Sequence, residues 1–510
     1  MELNEFDAVL SRRPFGDSTY LHEQMHAAFR RRLESIGPAV PAGRRLLSAL
    51  EQADPQTEYR VLGDPLVRRA IQQLVIEEAA GRRRQLPPHL CAQVLEAAER
   101  HVRAGATGGP LQGDAAAARW LGEPSRTPWI WGPGQGDDFL GRTFGGLVEW
   151  QFGAGLCAAT DADVAALRDA ARLLDEVVPL TSRSALSHTH LIGLTPGTGA
   201  WKGKASTSQF TVTGVVFLNR TLLTNPWWVA EHLLHEALHQ KLYDFRHAHS
   251  MLVRDLGAVP EGPSGEARRV VSLWNVPGPD GSNRWNTHRA MAAFHVYVHL
   301  ALFGALAERL SARLRDRYGP LDAPRPMTPS RKAFDRAHYL GESLRTGCWE
   351  ELGVAGRHLV DWLSSVLDAM DPAPPPPGAS LHLLMDRYLR EARRLRKLPP
   401  SDGLARVLRR LAVAEADAFR AILSAVGAQA PRDEAAAEAA PEQVGDDGEF
   451  FARRRRHIAD TLLRLAPNGY SLDALPRTAG GSADGMVRDM VEASSRELAT
   501  AVASAGASAP

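Results

Sequence analysis

Apolar residues recur every three to four positions along most of this chain, the period of one buried face of an α-helix. Residues 21–33, 65–80 and 88–104 carry that period and predict helices in an N-terminal region, 1–140. Glycine and proline interrupt it between 105 and 138. Alternating, β-branched residues over 210–219 (FTVTGVVFLN) predict a strand, and weaker patterns predict shorter strands at 143–152 and 188–194. Asn225-Pro226 is then a helix-start signal, and WWVAEHLLHEALHQKLYDF continues with helical character. A second apolar helix is expected in RWNTHRAMAAFHVYVHLALFGALAERL. The run DPAPPPPG, 371–378, reads as a stiff linker. One or two helices follow over 381–426, then an acidic low-complexity stretch at 428–448, a helix at 449–465 and a frayed Ala/Ser-rich tail. There is no internal repeat.

These elements predict a mainly α (α+β) protein, with a small sheet beside one central helix and further helices at the C-terminal side. Its expected parts are the helical region 1–140, a catalytic region 141–370, the linker 371–378 and a helical region 379–510.

The chemistry is concentrated in the central helix, where His235-Glu236-Ala237-Leu238-His239 reads HExxH. Positions i and i+4 of a helix lie one above the other, so the two imidazoles can converge on one metal ion while Glu236 sits beside them. The competing reading is an amphipathic helix in which Leu234, Leu238 and Leu242 pack inward and the histidines are incidental. A strand running into such a helix favours the metal site.

A third ligand is required, and its type decides the chemistry. The extended motif HExxHxxGxxH is excluded, because Leu242 and Phe245 occupy its glycine and last histidine positions. Glu261 and Glu266 fall in the loop-like run GAVPEGPSGEARR and are weak candidates. His288, His295 and His299 are spaced by seven and four on the second apolar helix. Buried imidazoles without partners are costly there, so one of the three is expected to be a ligand and the others core or supporting histidines. Three histidines suit zinc hydrolysis and equally suit non-haem iron with open positions for a cosubstrate and dioxygen.

The segments Thr213–Asn219, Ala230–His239, Trp285–Arg289 with Phe294–Leu300, Arg336–Leu340 and Gly356–Leu359, in that order, resemble the HExxH-type α-ketoglutarate-dependent peptide β-hydroxylases of bacterial natural-product pathways. The likeness covers about residues 180–370. The chain departs from it in the longer, glycine-rich loop 274–285, which replaces a compact Trp-Arg-x-Asp-Pro-Arg loop. The resemblance implies Fe(II), α-ketoglutarate and O2 as reactants and a ribosomally made precursor peptide as substrate, hydroxylated at the β-carbon of one residue. It implies His235, His239 and His295 as metal ligands, with His299 and then His288 as the alternatives for the third. It also implies an arginine on the cosubstrate's distal carboxylate, for which Arg284 and Arg289 are the candidates. In this reading Glu236 has a supporting role. In the alternative, a zinc metallopeptidase, it is the general base that activates zinc-bound water. A third reading is a degenerate site on a binding protein.

Composition sets the remaining bounds. The 510 residues are 44% hydrophobic, enough for substantial cores, and 60 Lys plus Arg against 59 Asp plus Glu leave a net charge of +1, so no general basic field favours nucleic acid. Arg82–Arg84 and Arg453–Arg456 are local basic clusters, read as solvated faces that could otherwise steer an acidic leader peptide. Three widely spaced cysteines, Cys91, Cys157 and Cys348, indicate neither a disulfide framework nor a thiolate metal site. The first residues lack a secretory pattern, and the apolar run 290–307 is interrupted by two histidines. A cytoplasmic protein without membrane segments is expected.

Overall fold

The computed structural model describes residues 2–80, 86–105, 110–113, 117–123, 126–253, 270–277, 283–322, 326–395, 402–428, 447–475 and 481–507. Glu261, Glu266, Arg82–Arg84 and most of the low-complexity stretch lie outside these residues. The chain divides into two compact units. The first comprises residues 1–254, 292–337 and 352–372, and the second residues 255–291, 338–351 and 373–510. The sequence division at 140 therefore falls inside the first unit, and the change of unit at 372 falls within the proline-rich segment.

In the first unit, helices α1 (Glu5–Val9), α2 (Ser18–Ile36), α3 (Pro41–Leu50), α4 (Pro55–Gly63), α5 (Pro65–Ala80) and α6 (Pro88–Arg103) precede strands β1 (Arg119–Trp120) and β2 (Trp129–Ile130). Then come α7 (Phe139–Phe152), α8 (Asp161–Val177), α9 (Pro179–Leu186), β3 (Leu191–Thr195), β4 (Ser206–Gln209), β5 (Val212–Asn219) and α10 (Pro226–Ala248). Helices α11 (Thr287–Tyr318), α12 (Ser330–Gly347) and α13 (Val354–Met370) complete it, with the start of α11 and the end of α12 grouped in the second unit. The segment 143–152, expected as a strand, is instead the body of α7. Asp138 caps its start by accepting from Gly141 N, and Leu140, Phe144, Leu147, Val148 and Phe152 form a helical stripe toward the core. The apparent alternation came from Val148-Glu149-Trp150-Gln151-Phe152, in which Trp150 is exposed.

The five strands are ordered β1-β2-β3-β5-β4. Strands β2, β3 and β5 run parallel, whereas β1 and β4 are antiparallel edges. Every residue of β3 and β5 is buried, as befits parallel strands covered on both faces. One core joins Phe29, Leu33 and Ile71 of the N-terminal helices to Leu191, Val215 and Phe217 of the sheet.

Helix α10 begins as its sequence dictates: the Asn225 side chain accepts from Trp227 N, and Pro226 occupies the first turn. It is locked to β5 by Gln240, whose carbonyl accepts from Gly214 N at 2.7 Å and whose amide donates to Val215 O at 2.8 Å. Gly214 has φ of 91°, and a Cβ there would lie 2.6 Å from Gly63 O. Only glycine allows that approach without strain.

Among the described residues, one helix, Thr287–Tyr318, is long and apolar enough to cross a membrane by length and composition, but 83% of its most apolar window is buried within the protein. A buried core helix accounts for it.

The second unit contains the two-stranded ribbon β6 (Val270–Val271) and β7 (Arg284–Trp285) and helices α14 (Leu381–Leu395), α15 (Asp402–Ala425), α16 (Asp447–Leu465) and α17 (Ala483–Ala507). The tail expected to fray is thus helical to residue 507. Arg455, expected on a solvated face, is fully buried, with Glu415 at 2.7 Å and Glu391 at 3.2 Å. Tyr388 donates to Glu415 at 2.5 Å. The flanking Arg453 and Arg456 are exposed.

Gly214→Ala is expected to destabilise the protein by roughly 2–4 kcal/mol, read as a lower urea midpoint. An unchanged midpoint would show that the Gly63–Gly214 approach carries no constraint.

Candidate metal centre on helix α10

The face of α10 that carries the HExxH residues is a ladder of rings. His232 stacks on Trp228 at 3.7 Å and lies nearly parallel to His235 at 6.5 Å, and Tyr243 lies nearly parallel to His239 at 6.2 Å. Between them, the rings of His235 and His239 approach edge to face, and their Nε2 atoms are 3.2 Å apart. Two nitrogens at that separation, each about 2.0–2.1 Å from a shared ion, would subtend an angle of about 100°. That lies between octahedral and tetrahedral values, so the pair suits either metal chemistry. Burial pulls the His235 imidazolium down to about 4. The ring is therefore neutral near pH 7 and does not hold a proton against a metal.

Glu236 points to the sheet edge. Ser206 Oγ on β4 donates to Glu236 Oε1 at 2.6 Å, and burial pushes the carboxyl up from its ordinary value while the Ser206 hydrogen bond opposes the shift. The motif's acidic residue thus ties the helix to the antiparallel edge strand.

On α11, His295 and His299 are both buried, with ring centroids 4.6 Å apart. His299 Nδ1 donates to His295 O at 2.8 Å, a bond that leaves its Nε2 as the acceptor nitrogen. His295 Nδ1 is buried without a hydrogen-bond partner. Burial, together with His299, Lys241 and His239, holds the His295 imidazolium well below its ordinary value. The structure thus brings together His235, Glu236 and His239, and separately pairs His295 with His299. Among the described residues, no third His, Cys, Asp or Glu donor joins the His235–His239 pair within 4.8 Å. His288, Arg284 and Arg289 belong to the second unit. Arg284 and Arg289 are exposed, and Arg289 lies over the Trp285 ring at 4.9 Å.

The opposite face of α10 holds a polar cluster that the sequence reading missed. Asp244 bonds Arg68 Nη1 at 2.8 Å through one oxygen and His188 Nδ1 at 2.7 Å through the other. His22, His188 and Asp244 have possible ligand atoms within 4.8 Å of one another. Both carboxylate oxygens are already engaged, and the Arg68 guanidinium stands where a cation would bind. Lys241, pulled down to about 7 by burial, adds further positive potential. This charge balance disfavours a divalent ion. The available signal was Lys241 and Asp244 themselves, charged residues at positions that a fully buried helix turns inward.

No family model matches the chain, and no curated protein matches it. The functional reading therefore rests on geometry and on the sequence resemblance.

Two outcomes follow. Arg68→Met strands the Asp244 carboxylate and is expected to cost about 3–5 kcal/mol, measured by denaturant unfolding; a loss below about 1 kcal/mol would contradict a buried ion pair. His26 and His299 are held near 3 in the fold against an ordinary 6.5. Because the unfolded chain takes up their protons first, stability is complete above 6.5 and falls as pH drops from 6.5 toward 3. A urea midpoint that rises over this acid range would refute that assignment.

Proposed function

We propose that this chain is an Fe(II)/α-ketoglutarate-dependent dioxygenase that hydroxylates the β-carbon of a residue in a ribosomally made precursor peptide. The observation that carries the metal is the His235–His239 pair, with Nε2 atoms 3.2 Å apart. Iron bound there would supply, with α-ketoglutarate and dioxygen, the oxidising power to place a hydroxyl group on an unactivated carbon. His235 would bind through its neutral ring, with His239 beside it, and the resemblance implies His295 as the third ligand, with His299 and then His288 as the alternatives. Arg284 and Arg289 remain the candidates for the cosubstrate carboxylate on the strength of the resemblance.

Engagement of Glu236 by Ser206 supports the oxygenase reading, because that carboxyl then positions the helix and need not activate water. The second reading, a zinc metallopeptidase, is favoured by the same carboxyl standing within the motif beside an antiparallel edge strand. A cytoplasmic setting accords with Cys91, Cys157 and Cys348 standing outside any disulfide.

The test is anaerobic reconstitution with Fe(II), followed by succinate measurement after oxygen is admitted, with candidate peptides present. Succinate formation is expected to fall at least roughly 100-fold in His235→Ala or His239→Ala, while Glu236→Gln keeps measurable activity. Zinc-dependent peptide cleavage that Glu236→Gln abolishes, with no succinate, would reverse the order of the two readings. Absence of both reactions, together with no bound metal, would indicate a binding protein.

A further inference from the structure

A hydroxyl group, an imidazole and a carboxylate are aligned at a second place in the first unit, on the far face of α10. His188 Nε2 lies 3.0 Å from Ser18 Oγ, and His188 Nδ1 lies 2.7 Å from Asp244 Oδ2. The carboxylate accepts from Nδ1–H, so Nε2 carries the lone pair that faces the serine. Arg68 fixes Asp244 from its other oxygen at 2.8 Å. His188 is fully buried, and His22 packs over its ring with centroids 4.2 Å apart.

Ser18 is only partly buried and lines a cavity of about 570 Å³, within the range of small-molecule sites. Leu121, Leu180 and Leu186 contribute apolar walls, and the exposed Arg126 and Arg183 stand among the lining residues. Ser18 is the first residue of α2, so its own N–H belongs to the first turn, whose donors have no intrahelical acceptor. In the resting arrangement Ser18 Oγ donates to Ser184 O at 2.9 Å and lies 2.7 Å from Ser184 Oγ, which accepts from Lys241 Nζ at 2.6 Å; these contacts restrain the serine rotamer.

We propose that Ser18, His188 and Asp244 form a second, metal-independent catalytic site that hydrolyses carboxylic esters with a short apolar acyl group. Ser18 Oγ attacks the ester carbonyl carbon as its proton passes to His188 Nε2. The bond to the leaving alkoxide then breaks, and His188 returns that proton to it. Water attacks the resulting acyl-serine, gives one proton to His188 and releases the acid, and the proton returns to Ser18. Asp244 is a positioning residue that holds the His188 tautomer.

The site is independent of the metal reading and is tested on the full chain after chelator treatment. Wild-type protein is exposed to a fluorophosphonate probe, digested and mapped by mass spectrometry, and its hydrolysis of p-nitrophenyl butyrate is followed in parallel. The expected result is a single adduct on Ser18, with adduct and hydrolysis both lost in Ser18→Ala. Asp244→Asn should slow labelling by roughly 10²–10⁴-fold and move the midpoint of its pH profile downward, because the imidazolium loses its carboxylate. Wild-type protein that takes no adduct, or takes it on another residue, overturns the proposal without recourse to any variant. Hydrolysis unchanged in Ser18→Ala overturns it equally.

Discussion

The rotational setting of helix α10 is the constraint on which the rest of the first unit depends. A helix buried on nearly every side must satisfy its polar side chains within the protein, and α10 carries several. Gln240 does so by completing the hydrogen bonds of β5 around Gly214, and Asp244 by accepting from Arg68 and His188. These bonds leave one orientation about the helix axis. In that orientation His235 and His239 present their Nε2 atoms to one point and Glu236 meets the edge strand.

Such an arrangement is chosen for specificity more than for stability. A buried ion pair returns little beyond its desolvation cost, but loss of one partner is severe. Arg68–Asp244 and the amide clamp of Gln240 therefore act as registers: slippage of the helix by one position would strand several buried polar groups at once. The neutral imidazoles at 235 and 299 follow from the same burial. The second unit uses the device again in Arg455, which gathers Glu415 and Glu391 among its helices.

The local rules were largely legible in the sequence. Asn225-Pro226 announced α10, the β-branched run announced β5, and the HExxH spacing placed two imidazoles on one face. Segment 143–152 misled because Val148-Glu149-Trp150-Gln151-Phe152 alternates apolar and polar residues, and only the Asp138 cap and the buried Leu140–Phe144–Leu147 stripe reveal a helix. Arg455 could not be read as buried, since its partners Glu391 and Glu415 come from two other helices. The same reason hid Ser18, His188 and Asp244, which the fold collects from α2, the turn before β3 and α10. No spacing rule links residues 18, 188 and 244. Strand β4 and its serine contact to Glu236 were also invisible, because Ser206–Gln209 has no apolar alternation.

The most direct test of the metal assignment is equilibrium dialysis of the apo-protein against Fe(II) under anaerobic conditions, repeated with Zn(II), followed by metal analysis. One equivalent bound by the wild type, and none by the folded double variant His235→Ala/His239→Ala, is the predicted result. An equivalent retained by the double variant would place the metal elsewhere and contradict the account.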